Sequence, residues 1–251
     1  MDATGFQEST DPPRLCVGTS RAAWFGRALD LAPHLNVATT LAVSSGDGFE
    51  LRRWNRTTGW SDWRRQSVAL IASGTLHHLR GRSPMAFLYL DPLGDDVAAM
   101  TPETLSTGRA RLLAIGGRPS LSDACAAFGI PLRRTVDARI VRVAREVERR
   151  PHDFARLQDA AALACLSPSR FRARFVREVG LPFRRYRLWR RMAVVMRVLA
   201  GGGDLTQAAH ASGFASSAHL STAFRQMFGL APGELRALHT IIDLSEDAPA
   251  G

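Results

Sequence analysis

In the stretch "SPSRFRARFVREVG" (residues 167–180), Ser169, Arg172, Ala173 and Val176 fall at i, i+3, i+4 and i+7. That spacing puts all four on one side of a helix. Arg172 there can set its planar fork on guanine O6 and N7. It serves equally well as a phosphate-binding or solvated arginine. A second stretch, "SSAHLSTAFRQMFG" (residues 216–229), gathers Ser217, Ala218, Ser221 and Thr222 on one side. Such short groups suit thymine methyls, water-bridged base edges or the shape of a groove. Arg170, Arg174, Arg177, Arg184, Arg187, Arg191 and Arg225 surround these faces as candidate phosphate neutralisers, with His219 a weaker one. The chemistry implied is recognition of a polyanion. No nucleophile–base pattern, P-loop or dinucleotide fingerprint occurs, and "GDG" and "GGG" are turns.

The charge distribution points the same way. The chain has 251 residues and a net charge of +10, and every one of its 33 basic residues is arginine. Residues 1–132 carry 13 arginines against 12 acids, whereas residues 133–240 carry 20 against 8. So uneven a division assigns the polyanion to the second half. No segment is apolar enough to span a bilayer, so nucleic acid leads over a membrane as the partner. Cys16, Cys125 and Cys165 lie far apart, with no C-x-x-C pair and no secretory signal near the start. Three unpaired thiols fit a reducing cytoplasm.

The elements that must hold these faces come as a repeat. At an offset of 49, Ser167 matches Ser216, Phe171 matches Leu220, Phe175 matches Phe224 and Gly180 matches Gly229. Upstream, Ala161-x-x-x-Cys165-Leu166 parallels Ala209-x-x-x-Gly213-Phe214. Each unit reads as a short helix, a tight turn, a serine N-cap and a second helix closed by glycine. That is a helix-turn-helix, twice. Phe171, Phe175, Phe214, Leu220 and Phe224 belong to its core. Between the units, "LPFRRYRLWRRMAVVMRVLAGGG" predicts one long helix with Tyr186, Trp189, Ala193 and Met196 inward.

Residues of about 134–240 therefore resemble the DNA-binding domain of the AraC/XylS family of bacterial transcription regulators. "GFASSAHLSTAFRQMFGLAPGELR" is close to the signature of that family. The resemblance implies that both second helices enter successive major-groove segments on one DNA face, about 34 Å apart. Family members often carry arginine where Thr222 stands, so weaker base readout is expected of the second unit.

The first half is read less directly. Short β-type runs between Asn36 and Pro92, "NVATTLAVSS", "FELRRW", "SVALIAS" and "MAFLYLDP", predict a sandwich or small barrel. The segment before Arg14 has no periodicity. After Asp96, Thr- and Ser-capped helices connect to the basic half, with a boundary within 129–134. "ALIASGTLHHLRG" followed by "MAFLYLDP" resembles the second cupin motif, with His77 in its histidine position. An H-x-H pair to join His77 is missing; only His34 precedes it, so no cofactor or metal is assigned. The alternatives to a regulator are a cupin-type metalloenzyme with an appended helical domain and a purely architectural DNA binder with no effector. An effector pocket between the sheets is expected from Trp54, Trp60, Trp63 and His77, although these tryptophans serve equally as hairpin or core residues.

The fold class expected is α+β. Residues 1–132 form a cupin-like sandwich or barrel with connector helices, for effector binding or dimerisation. Residues 133–240 form an all-α domain of two helix-turn-helix units on a long helix, and 241–251 an acidic tail. The expected function is non-enzymatic: sequence-specific transcription regulation, with double-stranded DNA and RNA polymerase as partners. A small-molecule effector and a second copy of the chain are further candidate partners.

Overall fold

The computed structural model describes residues 11–18, 21–90, 97, 100–130 and 137–243. Ten strands come first: β1 (Arg14–Val17), β2 (Ala22–Gly26), β3 (Asp30–Leu35), β4 (Thr40–Ser44), β5 (Phe49–Asn55), β6 (Gly59–Trp60), β7 (Arg64–Gln66), β8 (Val68–Ile71), β9 (Leu76–Gly81) and β10 (Met85–Tyr89). Helices follow: α1 (Pro102–Ile115), α2 (Leu121–Ala127), α3 (Ala138–Arg149), α4 (Leu157–Leu163), α5 (Pro168–Val179), α6 (Phe183–Ala200), α7 (Leu205–Ala211), α8 (Ser217–Phe228) and α9 (Pro232–Ala237). A last strand, β11 (Ile241–Asp243), closes the described chain.

The strands form two sheets. One runs β11-β1-β2-β10-β4-β8 and the other β3-β9-β5-β6, with β7 also paired to β5. Alternation along the strands explains the layering. In the first sheet Trp24, Ala42, Met85 and Phe87 meet Phe49, Leu51 and Leu79 of the second. Phe25, Leu41, Val43 and Leu88 point the other way, onto Leu112, Leu121, Ala124 and Phe128 of the α1–α2 segment. Covered on both faces, β2 and β4 are buried at every residue. The second sheet has one covered face. Phe49 and Leu51 are buried, whereas Glu50, Arg52 and Trp54 between and beyond them are not.

The connector helices start as their caps predict. Thr101 Oγ1 accepts from Thr104 N at 3.2 Å, and Ser120 with Asp123 forms a reciprocal capping box ahead of α2. The expected mixed architecture is present: a two-sheet sandwich with connector helices, then a helical half.

Two differences have physical reasons. Strands begin at Arg14 and not near Asn36. β3 carries no clear strand pattern in sequence, because Pro33 interrupts it and its register shifts between Leu31 and His34. The stretch 241–243, expected as part of an acidic tail, is a strand parallel to β1. Ile241 N donates to Pro13 O at 2.7 Å, and Arg14 Nη2 meets Asp243 Oδ2 at 3.1 Å. The rest of that tail, residues 1–10, and the 131–134 part of the boundary segment lie outside the described residues. No helix among the described residues is long and apolar enough to cross a membrane.

One hydrophobic core runs from the inter-sheet layer into the helices, joining Trp24 and Phe87 to Trp189, Met196 and Phe224. The helical half is thus packed onto the first sheet.

Candidate nucleic-acid interface

Each basic unit builds its turn in the same way. In the first, Cys165 takes φ +53°, Ser167 Oγ accepts from Arg170 N at 3.4 Å, and α5 ends at Gly180 with φ +73°. In the second, Gly213 takes φ +74°, Ser216 Oγ accepts from His219 N at 3.1 Å, and α8 ends at Gly229 with φ +76°. A left-handed residue breaks the first helix, a serine side chain restarts the second, and a left-handed glycine stops it.

Buried stripes fix which side of each second helix looks outward. Phe171, Phe175 and Val179 are buried on α5; Leu220, Phe224 and Met227 are buried on α8. Phe228 is half-buried, against Tyr89 of the first sheet, with ring centres 5.6 Å apart. Opposite these stripes Ser169, Arg172, Ala173 and Val176 are exposed, as are Ala218 and Thr222; Ser217 and Ser221 are half-buried. The Thr222 hydroxyl donates back to Ala218 O at 3.0 Å.

The joining helix α6 has 18 residues, a rise of about 27 Å. Its buried side includes Phe183, Tyr186, Trp189, Met192, Val195 and Met196; Ala193, expected inward, is half-buried. It also carries Arg190, nearly fully buried and ion-paired with Glu148 of α3. Sequence reasoning passed over Arg190, yet it stands four residues after Tyr186 on the same stripe. A charge in that place requires an opposite partner.

The arginines expected at phosphates separate into two groups. Arg170, Arg172, Arg184 and Arg225 are exposed, with no ion pair among the described residues. Arg174 instead pairs with Asp137 at 2.6 Å and Glu178 at 3.4 Å, and Arg177 pairs with Glu178 at 3.0 Å. Two arginines of α6 turn inward to backbone carbonyls. Arg187 donates to Phe154 O at 2.6 Å, before the first unit. Arg191 donates to Ser212 O at 2.7 Å, in the turn of the second, and lies 3.7 Å from the ring centre of Phe214. Burial lowers the pKa of Arg187, helped by Arg184; burial, with Arg187 nearby, lowers Arg191 to about 10. Arg191 remains a cation at neutral pH, and the donors of both face inward. His219 is exposed, beside Phe214 at 5.2 Å.

The expected pocket of Trp54, Trp60, Trp63 and His77 is not one site. Successive strand residues point to opposite faces. His77 and Leu79 face the buried side of β9, whereas His78 and Arg80 face outward beside Trp60 and Trp63. His77 instead meets His34 across the β3–β9 pairing, with ring centres 4.1 Å apart. Each Nδ1 donates to a carbonyl, Ala32 O and Thr75 O respectively, at 2.8 Å. Burial first, then His77, lowers His34 to a pKa of about 3; burial chiefly lowers His77 to about 4. No group of three metal-ligating side chains occurs among the described residues. The histidine pair sits beneath the C-terminal end of α8, where Ala32 N donates to Gly229 O at 3.1 Å.

An apolar crevice lies elsewhere, between the first sheet and the helices. Trp24, Phe87 and Tyr89 line one wall, and Trp189, Met196 and Phe228 the other, with Arg21 and Arg190 among the lining residues. It encloses about 60 Å³.

Residues 160–238 match the model of a helix-turn-helix domain. Among solved structures, the chain is similar to an apo form of a ToxT variant from Vibrio cholerae strain SCE256. That match has 14% identity and a TM-score of 0.56, and covers 87% of this chain and 98% of that one. ToxT from V. cholerae O395 gives 13% identity, coverage of 90% and 96%, and a TM-score of 0.54. The same protein bound to (E)-4-(8-methylnaphthalen-1-yl)but-3-enoic acid gives 14% identity, coverage of 91% and 100%, and 0.51. At these identities the likeness establishes a shared two-part fold. No curated protein matches the chain.

Proposed function

We propose that this chain, which carries an AraC-type helix-turn-helix domain toward its C-terminus, is a sequence-specific DNA-binding transcription regulator. Its second helices, α5 and α8, would enter successive major-groove segments. The observation that carries this is the pair of identically capped units at the two ends of α6, with Arg191 bonded to the turn of the second and Arg187 to Phe154 just ahead of the first. Ser169, Arg172 and Ala173 of α5 and Ser217, Ala218, Ser221 and Thr222 of α8 would face base edges. Arg170, Arg184 and Arg225 would neutralise phosphates, with Arg172 reading a guanine. Arg174, Arg177, Arg187 and Arg191 support the fold, each with at least one intramolecular partner. On this reading the division between an effector half and a DNA-binding half falls near residue 132, and RNA polymerase is the downstream partner. Selection of bound sites from random DNA tests it. Two short motifs about one helical turn apart support it, and no enrichment refutes it.

The crevice is the better place for an effector than the outer tryptophans. Its walls are aromatic, and two cations, Arg21 and the Glu148-paired Arg190, stand among the lining residues. That ToxT, of similar fold, is seen with an apolar carboxylic acid favours the same chemical class here. A ligand needs roughly 300 Å³ or more, against about 60 Å³ enclosed. Binding would therefore part Trp189 and Phe228 from Tyr89 and shift the second unit relative to the sheets. Thermal-shift titration with long-chain carboxylic acids should raise the melting point of the wild type, and Arg21→Gln should remove the rise. No rise in the wild type refutes the assignment.

A further inference from the structure

The outer face of the second sheet carries an arrangement that neither the fold nor DNA binding requires. The guanidinium carbon of Arg52 lies 4.7 Å from the ring centre of Trp60 and 4.5 Å from that of Trp63. Arg80 lies 4.4 Å from Trp63, and Trp54 meets Trp60 edge-on at 5.6 Å. The residues come from β5, β6, β9 and the loop after β6, so the group spans the sheet. Arg52 donates from Nη2 to His78 Nδ1 at 3.1 Å, while its buried Nε–H meets no acceptor among the described residues. No carboxylate among the described residues reaches Arg52. Trp54 is 42% exposed.

Stacking on indole rings holds a guanidinium flat and leaves its charge uncancelled. Arg52, Arg56, Arg65, Arg80 and Arg82 outnumber Asp30, Glu50 and Asp62 on and around this face; Asp30 lies 4.0 Å from Arg80 and Glu50 lies 3.1 Å from Arg82, while Arg52 meets no carboxylate among the described residues. The opposite sheet is covered on its outer face by α1 and α2, whereas the helices meet this sheet chiefly at its edge strand β3, through α8. Trp and Arg together are the composition of an interface anchor. We infer that the Trp54–Trp60–Trp63 face with Arg52 is a docking surface for an acidic polypeptide segment, its carboxylates bridging the Arg52 and Arg80 donors. Single-stranded nucleic acid fits less well. Bases stack on open ring faces, and guanidiniums already lie over Trp60 and Trp63.

The test uses the full chain and a labelled short peptide of alternating Glu and Leu, followed by fluorescence anisotropy. A Lys–Leu peptide and a single-stranded oligonucleotide are run beside it. The Glu–Leu peptide should bind, and Arg52→Ala and Trp54→Ala should each weaken it at least roughly tenfold. Arg56→Ala, which removes an exposed charge from the β5–β6 turn, should change it less than about twofold. Unchanged melting points and unchanged DNA affinity show that the variants fold. Equal loss in Arg52→Ala and Arg56→Ala, no binding of the Glu–Leu peptide, or tighter binding of the oligonucleotide would each overturn the inference.

Discussion

Arg191 donates its Nε–H to the carbonyl of Ser212 at 2.7 Å, tying the joining helix to the turn of the second unit. The Ser212 side chain is buried there as well, donating to Ala208 O. This bond fixes where α8 begins relative to α6. Arg191→Ala should lower stability by roughly 1–3 kcal/mol, as loss of a charge-assisted bond does. It should weaken binding to every DNA sequence alike. Melting curves and binding to a panel of duplexes check both; a change of base preference would contradict it.

Among the described residues Arg172 has no ion pair to lose. Arg172→Ala should leave the melting point within about 1 °C, since surface substitutions of this kind change stability little. It should relax preference in one half of the site, worth roughly 1–3 kcal/mol at the affected base pair. Repeating the site selection with the variant reads this directly.

Binding should weaken steeply with salt. Four exposed arginines, Arg170, Arg172, Arg184 and Arg225, project without ion pairs. If each displaces a counterion, log K against log salt falls with a slope of roughly −3 to −4. A slope near zero would contradict phosphate contact by these residues.

Gly180 and Gly229 end equivalent helices in the same left-handed conformation, but their surroundings differ. A Cβ at Gly180 meets nothing within 4 Å, whereas at Gly229 it would lie 2.5 Å from His34 Nδ1 and 2.9 Å from Ala32 O. Gly180→Ala should cost about 1–2 kcal/mol of backbone strain. Gly229→Ala should cost more and push α8 off the sheet. Equal melting-point losses would show that the contact between α8 and β3 is absent in solution.

His34 and His77 supply a pH dependence. Their folded pKa values, about 3 and about 4, lie below the ordinary 6.5. The unfolded chain therefore binds protons that the folded one excludes, and stability must drop as pH falls. The contribution is complete above about pH 6.5 and is lost progressively down to about pH 4 for His77 and about pH 3 for His34. His77→Gln should flatten the melting point between pH 7 and pH 5 relative to the wild type.

The helical half was legible because its signals are local. Serine caps, a glycine stop and an i, i+4 aromatic stripe each act within one unit, and the repeat doubled them. The first half was harder to read. β3 is broken by Pro33, and β11 pairs with β1 across more than two hundred residues, a relation no window of sequence contains. His34, Tyr89 and Gly229 matter through contacts between the halves, and their types alone carry no trace of it. The tryptophans were seen as a group; alternation along β9 put His78 beside them in place of His77.

The central claim is that α6 holds α5 and α8 in phase with one turn of B-DNA. Once the two selected motifs are known, their affinity can be measured with about half a helical turn, ~5 base pairs, inserted between them. The account predicts that binding falls to the level of a single motif and recovers in part when a full turn is inserted. Affinity unchanged by the half-turn insertion would contradict it.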